Sequence, residues 1–130
     1  VTYEEALERT INEGIEAAKE DYGRRDSPEN KARLKGSIEG FEACRGKTPA
    51  ELSGLLAEEG RKTHQAFIDA HEEKITSDEY WQIRCRELEI GWVANVMSAI
   101  LMNQNMPVIV NPTARGVMKA AEIVGVAEAT

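Results

Sequence analysis

From Ile90 to Ala114 the chain carries no charged side chain, although 30% of its 130 residues are charged. Wound into a helix, the stretch from Ile90 to Met102 is apolar nearly all round, broken by Asn95 and Ser98. Such a helix must be surrounded, by its own domain or by a partner. It is too short to span a bilayer, which needs about 20 apolar residues. It is therefore expected at the centre of a non-membrane fold, with the other elements arranged around it.

Those elements announce themselves through their start signals. Thr2 is placed to cap a first helix, with Glu4 and Glu5 in its positive first turn. Tyr3, Leu7, Ile11, Gly14, Ile15, Ala18 and Tyr22 form its apolar line, and Gly23 is its stop. Ser27-Pro28-Glu29 opens a second helix, with Leu34, Ile38, Phe41 and Cys44 as its inward stripe and Gly46 at its end. Thr48 and Glu51 have capping-box spacing and open a third, in which Gly54 and Gly60 signal a bend or a close helix contact. Thr76 and Glu79 repeat that spacing before a fourth helix, about Ser77 to Asn103, with Trp81, Cys85, Leu88 and Trp92 on one line. Pro107 to Val110 reads as a short extended crossover, and Asn111-Pro112 opens a fifth helix that stops at Gly125. The expectation is one all-α domain over 1–130: a five-helix bundle with a long central fourth helix.

Composition agrees. Aromatics are 5% and hydrophobic residues 42%, so the core is aliphatic and alanine-rich, which favours helices over a sheet. Net charge is −7, which disfavours nucleic acid and anionic membrane as partners. The segment from Arg24 to Lys47 is the exception, with seven bases against four acids. Its bases Arg24, Arg25, Lys31, Arg33 and Lys35 are expected to offset the acidic first helix. Cys44 and Cys85 lack a C-x-x-C partner and sit on apolar faces, as buried thiols do. With no leader-like start, the expected location is the cytoplasm.

Candidate chemistry is sparse. His64 and His71 are seven apart, about two helical turns, where a zinc helix needs three or four. Glu5/Glu8, Glu13/Glu16 and Glu39/Glu42 have Glu-x-x-Glu spacing. All-helical nucleotide pyrophosphohydrolases pair that spacing with Glu-x-x-Asp, which occurs nowhere here. No catalytic residue, metal or cofactor is therefore assigned. A metal-dependent hydrolase acting on a nucleotide stands as an alternative, and an acidic regulator of basic surfaces as another.

Two features remain. The start of the fifth helix, with Thr113, Arg115 and Gly116, is an expected anion site, because free N–H groups and the helix dipole converge there. Arg84, Glu87, Gly91, Asn95 and Ser98 share one line of the fourth helix, expected to be a subunit seam or a pocket wall. Asn95 in an apolar helix needs a hydrogen-bond partner. The expected function is binding without catalysis: a homo-oligomer, most simply a dimer, holding a protein or an anionic small molecule.

Overall fold

The computed structural model describes residues 2–101. Four helices account for nearly all of them: α1 (Tyr3–Tyr22), α2 (Pro28–Ala43), α3 (Pro49–His71) and α4 (Ser77–Leu101). There is no strand among the described residues. The expected crossover and fifth helix, and with them Thr113, Arg115 and Gly116, lie outside those residues.

Each helix starts where its capping chemistry places it. Thr2, Ser27 and Thr48 accept from the backbone N–H three residues on, and Pro28 and Pro49 occupy the first helical turn. Both halves of the capping box form at Thr48/Glu51. They form again at Thr76/Glu79, where the Glu79 N–H donates to Thr76 Oγ1 at 3.1 Å and the Thr76 N–H to Glu79 Oε1 at 3.3 Å. Each such cap is worth about 1 kcal/mol. Helix α3 ends without a glycine: Glu73 takes the left-handed conformation, at φ 61°.

Helix α4 is the common wall, packing against α1, α2 and α3. Ile90, Val93, Val96 and Met97 are at most 1% exposed, so the uncharged half is enclosed on most of its circumference. Leu7 and Ile11 of α1, Phe41 and Cys44 of α2 and Leu52 of α3 complete this core. Phe41 meets Trp92 edge to face, with ring centroids 6.3 Å apart. Gly14 makes room for that ring, because a Cβ there would lie 2.3 Å from it. Thr10 faces Met97, while Tyr22 lies near Cys85, so α1 runs antiparallel to α4. Glu59 meets Arg86 and Phe67 meets Tyr80, which makes α3 antiparallel too. Helix α2 is parallel to α4: Gly36 lies on Gln82, and Gly40 on Arg86.

That last contact corrects the reading of α2. Its buried face is Gly36, Ser37, Gly40, Phe41 and Cys44, while Leu34 and Ile38 are only half-buried at its side. The two glycines, one turn apart, let the backbones touch. A Cβ on Gly36 would lie 2.1 Å from the Gln82 carbonyl oxygen, and one on Gly40 2.5 Å from that of Arg86. The glycines expected to mark a close contact in α3 do not do so. Gly54 has nothing within 4 Å of an added Cβ, and Gly60 meets only the Glu87 carboxylate, at 3.1 Å.

These environments predict opposite outcomes for one substitution. Gly36→Ala or Gly40→Ala should destabilise the fold by about 1–3 kcal/mol, since backbone cannot yield as a side chain can. Gly54→Ala, in open space, should stabilise it by about 0.5–1 kcal/mol through helix propensity. Urea unfolding of the three variants measures both signs.

Candidate functional site

The glycine contact holds α2 on one side of α4, and α3 lies on another. Helices α2 and α3 do not approach each other among the described residues. The gap between them is a cleft of about 450 Å³. Gln82, Ile83 and Arg86 of α4 line it, with Glu39 from α2, Glu59, Lys62, Gln65, Ala66 and Asp69 from α3, and Ile75 from the following turn.

Glu59 is the unusual member. It is 1% exposed and the one acidic side chain in the buried set. Placing a carboxylate out of water costs several kcal/mol unless it is paired and hydrogen-bonded. Arg86 Nε donates to Glu59 Oε1 at 3.0 Å, and Lys62 Nζ reaches the same oxygen at 3.4 Å. Lys62 also pairs with Glu58 at 3.5 Å and is half exposed, so its share is the weaker one. The second oxygen, Oε2, is buried and has no hydrogen-bond partner among the described residues. On the rim, Gln82 Nε2 donates to Glu39 Oε1 at 2.7 Å and Gln65 Nε2 to Asp69 Oδ1 at 2.9 Å. The cleft thus combines apolar wall, two tethered amides and a buried carboxylate with one oxygen unused.

The residues expected to form a seam or pocket wall do not line this cleft. Asn95 Nδ2 donates to the Gly91 carbonyl at 2.8 Å, so its demand for a partner is met one turn away in its own helix. Glu87 lies against α3 at Gly60, Gly91 is buried, Arg84 donates to the Tyr80 hydroxyl oxygen at 3.2 Å, and Ser98 is exposed. Glu59 went unnoticed because it sits one residue before Gly60 in a run of ordinary helix-surface character, Ala57-Glu58-Glu59. Its spacing from Leu52, Thr63 and Ala66, the other buried positions of α3, is the signal that marks it as inward-facing.

The remaining acids and bases are spent locally. Arg45 ties α2 to α1 through Glu42, Glu8 and Asn12, and holds the Glu42 carboxyl below its ordinary range. Arg9 pairs with Glu13 and Lys19 with Glu16. In the basic segment Arg24, Lys31 and Arg33 pair with Glu20, Asp26 and Glu29, and only Arg24 reaches α1. Arg33 also lies over the Trp81 ring, 3.9 Å from its centroid. His64 and His71 are exposed, and no three His, Cys, Asp or Glu side chains among the described residues are grouped to hold a metal. Both thiols are free and buried; burial pushes Cys44 up to about 12, the reverse of an activated nucleophile.

No family model matches the chain, and neither a curated protein nor a solved structure is recognisably similar to it. Function must therefore be argued from the geometry.

A second carboxyl has the opposite solution to burial. Glu89 of α4 packs by Gly40, near Tyr22 and Cys85. Desolvation, then the charge of Asp21, pushes its pKa up to about 8. The folded state thus holds this proton more tightly than the unfolded chain, whose carboxyl ionises near 4.5. The stability this gives is full below about 4.5 and is lost as pH rises to about 8. Glu89→Gln should match the parent at pH 4 and exceed it by roughly 1–3 kcal/mol at pH 9. Urea unfolding across that range tests this; a difference independent of pH would show an ordinary, solvated carboxylate.

Proposed function

We propose that the protein works by binding, without catalysis, and that the cleft between α2 and α3 receives its guest. The observation that carries this is Glu59. A buried ion pair is a poor device for stability, since an apolar pair of similar volume is often as good or better. This one is half-satisfied, and its unused oxygen lies where the cleft reaches the core. A cleft of about 450 Å³ is in the range of small-molecule pockets and of a single inserted side chain.

The hydrolase alternative draws less from the structure. It needs acids that converge, and here Glu8, Glu13 and Glu42 are each drawn to an arginine. The reading as an acidic binding protein gains, because the cleft contributes three carboxylates to a chain of net charge −7.

Two-dimensional NMR of the ¹⁵N-labelled protein against a mixed fragment set tests the reading. Saturable shifts are expected at Gln65, Gln82 and Arg86. The double variant Glu59→Leu/Arg86→Met should keep the fold, with stability within about 2 kcal/mol of the parent, and lose those shifts. Fragments that move only residues elsewhere, or binding that survives in the double variant, would remove the cleft from the function.

A further inference from the structure

We infer that the guest of this cleft is an aliphatic cation: an alkyl chain ending in an ammonium or guanidinium head. The inference rests on the binding reading above and adds the chemistry of what is bound. Three carboxylates, Glu39, Glu59 and Asp69, face two cations, Lys62 and Arg86. Both cations converge on one oxygen, Glu59 Oε1. Gln82 and Gln65 occupy one oxygen each of Glu39 and Asp69. What the cleft offers a guest is therefore chiefly acceptor: Glu59 Oε2 at its inner end, and the second oxygens of Glu39 and Asp69 at its rim.

An anion would supply no donor to Glu59 Oε2 and would sit among three like charges. A neutral hydroxyl or amide would donate but leave the charge excess as it is. An ammonium or guanidinium does both, through charge-assisted hydrogen bonds that are roughly twice as strong as neutral ones. Glu59 is 1% exposed, so a head group bound there is shielded from water and salt. Ala66, Ile75 and Ile83 give the alkyl stem an apolar wall leading to it. The chain's net charge of −7 raises the local concentration of cations over anions.

A free polyamine and a lysine or arginine side chain on a protein share this chemistry. The full chain is titrated at fixed ionic strength with agmatine, with cadaverine, and with acetyl-Ala-Lys-Ala-amide. Sodium phosphate is the anionic probe and 1-pentanol the neutral one. The readout is the side-chain amide resonances of Gln65 and Gln82. At least one cationic probe should saturate them at a tenfold lower concentration than phosphate or pentanol. Tighter binding of the free amines identifies a small-molecule guest, and of the peptide a protein side chain; each supports the inference. Glu59→Gln should weaken the cation at least tenfold and Asp69→Asn severalfold. The rim variant keeps the test alive should Glu59→Gln fail to fold. If phosphate or pentanol saturates the cleft and the amines do not, the cation is overturned while the binding reading stands. If no probe and no fragment moves these resonances, the binding reading itself falls. Amine shifts that stay linear, or that persist unchanged in Asp69→Asn and Glu59→Gln, also overturn the cation.

Discussion

The rest of the structure depends on two backbones being allowed to touch. Gly36 and Gly40 present bare helix surface to the carbonyls of Gln82 and Arg86, and any side chain at either glycine would hold the helices apart. The spacing of four is shared by both partners, so the two contacts fix axial register as well as distance. Much follows from it. Phe41, one residue past the second glycine, is set against Trp92. Gln82 and Arg86 are fixed at the floor of the cleft. With α2 so close to α4, α3 takes a separate side of α4 and never meets α2. The cleft is a by-product of that close approach.

The buried polar groups of α4 and its neighbours show three answers to one electrostatic problem. Asn95 is neutral and is satisfied by its own helix. Glu89, crowded by protein and by Asp21, is driven to hold its proton. Glu59 takes an arginine from the facing helix. The first two are self-contained. The third leaves an oxygen without a bond, and it does so at the one of these sites that opens to a cleft. That coincidence separates Glu59 from a merely structural ion pair.

Much of the fold was legible because helix starts are local. A Thr or Ser followed three residues later by Glu, or by Pro at the next position, fixes a helix start through hydrogen bonds that span a few residues. The starts at Tyr3, Pro28, Pro49 and Ser77 follow from such signals. The central role of α4 followed from its lack of charge. The face of α2 did not, because a periodicity argument looks for large apolar residues, and the tightest contact is made where side chains are missing. Gly36 and Gly40 do have a readable spacing, yet Gly54 and Gly60 look equally meaningful in sequence and make no such contact. The candidate site was hidden for a further reason. Glu59 resembles its exposed neighbour Glu58, and only the position of Arg86, 27 residues away on another helix, gives it a partner. Sequence patterns weigh residues along one helix, whereas this site is assembled across three.

Because α3 is fastened to α4 alone, it differs mechanically from the other helices. Helices α1 and α2 each touch two neighbours and are braced against rotation. Helix α3 has one seam, and rolling about it changes the width of the gap to α2 while leaving the glycine contact untouched. The Glu59–Arg86 pair sits on that seam, so whatever engages the unused oxygen also pulls on the helix that forms one wall. Occupancy and width are therefore linked variables, and the free energy of moving α3 enters the affinity of any guest. A helix held on one side only is thus the part of this bundle whose position a small ligand can set.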